Sequence, residues 1–184
     1  MAIINNPTTI ITGKRTRLSY AHIFEPQTFE GGASKYSVSL LIPKDDKETL
    51  NKIHAAIQAA YEKGESRLKG NGRTTPALSA IGSPLNDGDK KGDEVYAGCY
   101  YINAKNDEKP KVFDQNGNEV MDRSEVYSGC YAKVKISFFA YNHTGNKGIA
   151  CSLQGLQGLA DGTLRSEDKK RRLLRNPKSP PGLF

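Results

Sequence analysis

The chain has 184 residues, enough for one domain with a buried core, and 36% of them are hydrophobic. Its mean hydropathy is −0.61, and no apolar run approaches the roughly 18 residues that a bilayer-spanning helix needs. The opening segment, Met1 to Pro7, lacks the charged and then apolar pattern of a signal peptide, so we expect a protein of the cytoplasm.

The formal charge of +7 is unevenly distributed along the chain. Residues 161–184 hold 7 of the 27 basic and 3 of the 20 acidic side chains, which is +4 and leaves +3 for residues 1–160. The charge suits a polyanionic partner, but a binding surface on the body must come from local arrangement. We therefore predict one domain at 1–162, followed by a basic, disordered tail at 163–184.

Two strands and a helix are predicted in the first third of the chain. Alternating residues from Thr12 to Phe24 and from Lys35 to Ile42 indicate the strands. In the first strand, one face carries Arg15 and Arg17 and the other carries Thr16, Leu18 and Tyr20. Apolar residues then recur at helical spacing from Lys44 to Lys63, and Gly64 ends this helix.

The next segment, residues 64–94, is rich in Gly, Pro, Asn, Asp and Lys and shows little periodicity. Its basic residues suit a flap over a nucleic acid, and a solvated loop explains the composition equally well. An acidic turn near its end contains Asp87, Asp89, Asp93 and Glu94. Such carboxylates could hold Mg²⁺, although a solvated turn is the simpler interpretation.

A five-residue phrase occurs twice, as Tyr96-Ala-Gly-Cys-Tyr100 and as Tyr127-Ser-Gly-Cys-Tyr131. We predict strands over Val95 to Lys105 and Tyr127 to Asn142, so each copy would place both tyrosines on one face and its cysteine on the other. The glycine between them would leave a gap in which a flat ring could lie.

The second of these strands has an unusual face. Its odd-numbered positions combine four aromatic rings with two lysines, which is too aromatic for an ordinary surface and too charged for a core. Aromatic rings stack bases of any sequence, and lysines attract phosphates. The alternative is that one or two rings, Phe139 among them, cover a second small core.

The remaining chain adds a hairpin within Lys111 to Val120 and a last strand from Ile149 to Leu159. Many strands, one helix and long loops predict a mainly β barrel or sandwich with the helix packed on it. Cys99, Cys130 and Cys151 lack metal-type spacing and are expected to be small buried thiols. We predict no metal, no cofactor and no catalytic constellation.

An ordered series of motifs over residues 10–162 resembles the phage single-stranded-DNA-binding proteins once catalogued as a domain of unknown function. The motifs are Gly13-Lys-Arg-Thr-Arg-Leu-Ser-Tyr20, Lys35-Tyr-Ser-Val-Ser-Leu-Leu-Ile-Pro43, Pro84-Leu-Asn-Asp-Gly-Asp89, Lys111-Val-Phe-Asp-Gln-Asn-Gly-Asn-Glu-Val120, Glu125-Val-Tyr-Ser-Gly-Cys-Tyr131, Phe138-Phe-Ala-Tyr-Asn142 and Gly145-Asn-Lys-Gly-Ile-Ala-Cys151. The resemblance implies an OB-fold, a five-stranded barrel, and a role in phage replication or recombination. Such proteins typically end in an acidic tail, whereas residues 163–184 are basic here.

The sequence therefore predicts a non-enzymatic protein that binds single-stranded DNA, with phage or host replication proteins as further partners and a homodimer left open. A Mg²⁺-dependent phage nuclease and a phage structural or interaction protein are the alternatives. The residues expected to contact DNA are the stacking tyrosines Tyr96, Tyr100, Tyr127, Tyr131 and Tyr141, the phosphate contacts Arg15, Arg17, Lys133 and Lys135, and the flap residues Arg67, Lys69 and Arg73.

Overall fold

A computed structural model describes residues 6–28, 31–121 and 126–159 of the chain. Within these ranges there are eight strands, two α-helices and three short 3-10 turns. The strands are β1 (Thr9–Ile11), β2 (Arg17–Thr28), β3 (Ser34–Pro43), β4 (Leu85–Asp87), β5 (Cys99–Asn106), β6 (Lys111–Phe113), β7 (Ala132–His143) and β8 (Asn146–Gly158); the helices are α1 (Lys47–Lys63) and α2 (Glu65–Lys69); the 3-10 turns are Leu78–Ala80, Gly88–Lys91 and Glu94–Tyr96.

All eight strands belong to one sheet in the order β1-β7-β8-β5-β3-β2, with β4 added to β5 and β6 added to β8. The start of β2 also meets the segment before β7, because Leu18 N donates to the Cys130 carbonyl and Ala132 N to the Thr16 carbonyl, both at 2.9 Å. The sheet therefore curls until its ends approach, although no continuous ladder closes it within the described residues. The mainly β prediction with one long helix is confirmed.

The inner face of the curled sheet and one side of α1 form the core. Alternate residues of β7 are buried, as the sequence predicts, and they include Val134, Ile136 and Phe138. Leu50, Ile53, Ala56, Ile57 and Ala60 of α1 are buried in the same cluster. A Cβ on Gly64, where α1 ends, would lie 2.4 Å from the Ala140 Cβ, so only glycine permits this close approach.

The segment 64–94 is more ordered than its composition predicts. It contains α2, β4 and two of the 3-10 turns. Gly82 pairs with Gly148 at the start of β8, while Asn86 of β4 pairs with Tyr101 of β5. This segment thus fills the space between β5 and β8, which themselves pair at Lys105 and Ser152.

Two further features of the described residues are the length of their helices and the burial of their thiols. None of the helices in residues 6–28, 31–121 and 126–159 is long and apolar enough to cross a membrane. Cys130 and Cys151 are buried as predicted, whereas Cys99 is only partly buried. Burial raises the pKa of the Cys151 thiol, and it also raises that of Cys99.

Candidate nucleic-acid interface

The repeated phrase forms a turn in each copy, and the prediction that it lies within strands is wrong. Gly98 and Gly129 have φ angles of +73° and +99°, a left-handed conformation that glycine adopts without steric penalty. The first copy enters β5 only at Cys99, and the second precedes β7, which begins at Ala132. Because extended backbone is interrupted, the two tyrosines of a copy need not share a face.

The phase of each following strand decides where the last tyrosine of the phrase lies. In β5, Ile102 and Ala104 are buried, so Tyr100 is on the inner face, where it packs against the core, and Tyr101 is on the outer face. In β7, Ala132 and Val134 are buried, so Tyr131 is on the outer face. The prediction that Tyr100 is an open stacking ring is therefore corrected.

Tyr131 and Tyr101 lie at two points of a single line across the outer face of the sheet. Tyr131 pairs with Arg17, Arg17 with Leu41, Leu41 with Tyr101, and Tyr101 with Asn86. We call these five residues the cross-strand row. Because neighbouring strands are about 4.8 Å apart, the backbones of Tyr131 and Tyr101 are roughly 14 Å apart.

Arg17 is held beside Tyr131 by the second copy of the phrase. Its Nε donates to the Gly129 carbonyl at 3.0 Å, and its guanidinium lies 5.9 Å from the centre of the Tyr131 ring. Gly129 N in turn donates to the Leu18 carbonyl at 2.7 Å, which fixes the turn on β2. A planar cation over an aromatic ring is a geometry that also accommodates a base and its phosphate.

Tyr96 lies on the same outer face but is not available to a base. The residue is 1% exposed, its ring meets that of Tyr101 edge-on at 5.1 Å, and its hydroxyl donates to Ser19 Oγ at 3.0 Å. It is absent from the main core cluster, as is Leu41, which is also buried on the outer face. Tyr96 therefore belongs to a second small core, and we remove it from the candidate interface.

Sequence analysis missed two residues at this end of the row. Tyr101 is partly exposed, and Lys91 Nζ lies 5.1 Å from its ring centre and 4.8 Å from that of Tyr96. A signal for Tyr101 was present, because alternation counted from Ile102 and Ala104 places it outward. Lys91 carried no such signal, since it comes from a 3-10 turn that reaches across the sheet.

Small polar side chains line the outer face next to the cross-strand row. Ser19, Ser39 and Asn103 are paired across β2, β3 and β5, and Ser39 Oγ donates to the Asn103 side-chain oxygen. Further along, Ser37 pairs with Lys105. Ser37 and Ser39 are each only 8% exposed, so this part of the face is polar but mostly covered, and Asn103 and Lys105 are its exposed members.

Lys133 and Lys135 extend the surface along β7 from Tyr131. Both are exposed on the same face, two and four residues further along the strand. At about 3.3 Å per residue they lie roughly 7 and 13 Å from Tyr131. Their predicted placement beside an outward tyrosine agrees with the structure.

Other predicted contacts are not brought to the row. Tyr141 lies ten residues beyond Tyr131 on the same strand, roughly 33 Å away, and its ring packs over Gly148. The flap residues are exposed near this far end, where Asn142 Nδ2 donates to the Arg67 carbonyl at 3.0 Å; they are Arg67, Lys69 and Arg73. The predicted interface is thus two separate regions of the surface.

Three further predicted positions have surroundings that the sequence did not indicate. Tyr127 packs against the edge of the core and is only partly exposed. Arg15 lies before β2 and forms an ion pair with Asp45 at 3.0 Å. Phe139, which the alternative interpretation placed over a second small core, is 44% exposed. The predicted basic tail at 163–184 lies outside the described residues.

The acidic turn is engaged by a lysine. Lys44 Nζ lies 2.8 Å from Asp87 Oδ1 and 2.6 Å from Asp89 Oδ2, and these contacts lower the pKa of both carboxyls. Asp89 also accepts a hydrogen bond from Gly98 N at 2.8 Å. Within the described residues, no group of three or more His, Cys, Asp or Glu side chains could hold a metal ion.

Several solved structures have a similar fold. The single-stranded DNA-binding protein of bacteriophage Enc34, as a C-terminal truncation, has a TM-score of 0.69 at 23% identity over 88% of this chain and 93% of its own. The Enc34 protein in complex with single-stranded DNA has a TM-score of 0.64 at 25% identity, covering 86% and 92%. The single-stranded DNA-binding protein gp2.5 of bacteriophage T7 has a TM-score of 0.57 at 18% identity, over 82% of this chain and 91% of its own.

Sequence comparison extends over most of the chain. Protein p50 of Acyrthosiphon pisum secondary endosymbiont phage 1 is 35% identical over 153 residues, covering 79% of this chain and 80% of p50. A family model described as "Enterobacter phage Enc34, ssDNA-binding protein" matches residues 8–170. The chain therefore belongs to the family of the single-stranded DNA-binding protein of Enterobacter phage Enc34.

Proposed function

We propose that this protein binds single-stranded DNA without sequence preference and without catalysis, using the cross-strand row as the centre of its interface. The observation that carries the proposal is the alignment of Tyr131, Arg17 and Tyr101 across the outer face in a member of this family. The outer face of OB-type sheets is where oligonucleotides bind in this architecture.

Tyr131 and Tyr101 act as the stacking rings. Each has an outward ring with a cation beside it, Arg17 at one end and Lys91 at the other. A base displaces the cation from the ring, and the cation then meets the adjacent phosphate. Base–aromatic stacking is worth about 1–3 kcal/mol per base and tolerates every base, because all bases have a π-face.

The charges on this surface favour phosphate binding. Arg15, Lys35 and Lys44 form ion pairs with aspartates, whereas Arg17 contacts a carbonyl and a ring, and no carboxylate of the described residues pairs with it. A cation that is not paired internally can release counterions from DNA when it binds a phosphate. Arg17, Lys133 and Lys135 supply this salt-dependent part of the affinity.

Residues 161–184 add to the affinity through their charge of +4. The last described residue, Leu159, donates its N–H to the Tyr131 carbonyl at 3.0 Å, so the described chain ends beside the cross-strand row. A chain ending at Leu159 should bind more weakly and with a shallower salt dependence, by about 0.7 in the log–log slope for each lost phosphate contact. Tighter binding by the shortened chain would contradict this role.

The biological setting that we propose is phage DNA replication or recombination in the cytoplasm of the infected host. A protein that coats single strands there would meet replication proteins of the phage or host, and a second copy of itself on the same strand. No metal or cofactor takes part in the binding that we propose.

The decisive experiment compares fluorescein-labelled oligo(dT) with a duplex of equal length by anisotropy at several salt concentrations. We expect tighter binding to the single strand and an affinity that falls as salt rises. Equal affinity for both forms would refute the stacking mechanism. Incubation of DNA with the protein and Mg²⁺ tests the nuclease alternative, and cleavage that disappears in an Asp87→Asn variant would establish it.

A further inference from the structure

Tyr20 has a backbone conformation that its residue type rarely adopts. Its φ is +48°, in the left-handed region, where a bulky side chain is an outlier. Ser19 pairs with Ser39 and His22 with Ser37, so three steps along β2 match two along β3. The extra residue makes a β-bulge, and its left-handed position is one that glycine usually fills.

Among the described residues other than glycine, Thr144 is the second with a positive φ, and a positive φ is common at its position in a turn. It precedes Gly145 in the tight turn between β7 and β8, where left-handed residues are the rule. Tyr20 instead lies within a strand. Because the left-handed conformation costs an L-residue roughly 1–2 kcal/mol, glycine at position 20 would strain β2 less than tyrosine does.

The Tyr20 side chain makes few contacts that could stabilise the fold and offset this strain. It is 59% exposed, a larger fraction than for Phe139 or Ile11. Within residues 6–28, 31–121 and 126–159, its hydroxyl makes no hydrogen bond and its ring contacts no other ring or cation. Strain that packing does not offset is found mainly at functional sites.

The bulge is attached to the turn that holds Arg17. Ala21 N donates to Ser128 Oγ at 2.9 Å, and Gly129 N donates to the Leu18 carbonyl at 2.7 Å. Tyr20 therefore stands between these two attachments, three residues after Arg17. The backbone of Tyr20 thus lies close to the Arg17 end of the cross-strand row, and its side chain is exposed.

We propose that Tyr20 is a base-stacking residue and that the bulge in β2 exists to present its ring to single-stranded DNA. The proposal rests on the proposed function and adds a third ring beside Tyr131 and Tyr101. A nucleotide that continues past Arg17 places its base on the Tyr20 ring, which costs no rearrangement because the ring is already exposed. The strain in β2 is the energetic cost of this display.

The test is a pair of measurements on Tyr20→Gly and Tyr20→Phe. Tyr20→Gly relieves the strain and removes the ring, so we expect an unchanged or higher urea midpoint together with roughly tenfold weaker binding of fluorescein-labelled oligo(dT). Tyr20→Phe keeps a stacking surface and should bind nearly as the parent does. Opposite changes in stability and affinity are a signature that a purely structural tyrosine would not give.

Phe139→Ala is the matched control, because Phe139 is exposed on β7 but lies eight residues beyond Tyr131. An equal loss of affinity for Phe139→Ala and Tyr20→Gly would overturn the assignment, as would unchanged binding by Tyr20→Gly or a marked fall in its midpoint. Parent protein that fails to bind oligo(dT) would instead remove the proposed function itself, so the two failures are distinguishable.

Discussion

The two copies of the Tyr-x-Gly-Cys-Tyr phrase have the same backbone role and opposite surface roles. Each is a turn with a left-handed glycine, and each leads directly into a strand. In the first copy, Tyr96 covers a small outer core and Tyr100 faces the main core. In the second, Tyr127 packs at the edge of the core and Tyr131 faces outward.

The last tyrosines of the two copies face opposite ways because their spacing to the first buried residue of the following strand differs by one residue. Tyr100 lies two residues before the buried Ile102, whereas Tyr131 lies one residue before the buried Ala132. Side chains alternate along a strand, so this single step moves the last tyrosine from the inner to the outer face. A local sequence that differs only at its second residue thus yields a structural turn in one place and a candidate binding turn in the other.

The largest expected effect is on stability and concerns the first tyrosine of each copy. Tyr96→Ala empties a fully buried site, so the free energy of unfolding should fall by about 3 kcal/mol or more in urea denaturation. Tyr127→Ala removes a partly exposed ring and should be clearly milder. Equal losses would show that the two positions are structurally equivalent after all.

The last tyrosines should separate affinity from stability. Tyr131→Ala should weaken binding to oligo(dT) about tenfold, because one base loses its stacking partner, and it should leave the urea midpoint nearly unchanged. Tyr100→Ala should lower the midpoint and, where folded, keep the parent affinity. If Tyr100→Ala weakens binding as much as Tyr131→Ala does, the conclusion that the two tyrosines have different surface roles is wrong.

Alanine at the two glycines tests the shared turn. Both variants force a left-handed L-residue, so each should lower the free energy of unfolding by about 1 kcal/mol. The Gly129 carbonyl accepts a hydrogen bond from Arg17 Nε, whereas the Gly98 carbonyl accepts one from the backbone N–H of Lys44, so strain at Gly129 alone acts directly on Arg17. Only Gly129→Ala should therefore also weaken oligo(dT) binding, and an equal effect of Gly98→Ala on affinity would count against a role for Arg17.

The smallest expected effect is a difference in acid sensitivity near the first copy. Lys44 lowers the pKa of Asp87 and Asp89, so their stabilising contribution is complete above the ordinary aspartate pKa of about 4 and is lost as the pH falls through the lowered values. Asp89→Asn should be less stable at neutral pH and lose less stability on acidification. Parallel unfolding midpoints for parent and variant between about pH 5 and 2 would disprove this linkage.

Much of the fold and part of the site could be predicted from the sequence. In β7, every even-numbered residue from Ala132 to Ala140 is apolar and buried. This regular alternation predicts that the odd-numbered Lys133 and Lys135 face outward. The helical spacing of Leu50, Ile53 and Ile57 likewise identified α1 and its buried face. These patterns are local, and they predict which side of an element is buried whatever the element packs against.

Residues outside regular alternation could not be placed in this way. The turn at Gly98 interrupts the alternation before β5, which is why Tyr96 was misassigned, whereas alternation counted from Ile102 places Tyr100 inward. Lys91 reaches the Tyr101 ring from a 3-10 turn, so only the path of the chain brings them together. The bulge at Tyr20 depends on the register of β2 against β3, which a single strand does not encode.

The sequence by itself determined the class of fold, the one long helix and the buried stripe of β7, because these follow from periodicity and composition within short stretches. The family was indicated separately, by the resemblance of an ordered series of motifs. Only the tertiary structure decided that Tyr131, Arg17 and Tyr101 share one line across three strands and that Tyr96 does not take part. The physical reason is that strand pairing sets register between residues far apart in the chain, and a shift of one residue reverses the face of every side chain in a strand.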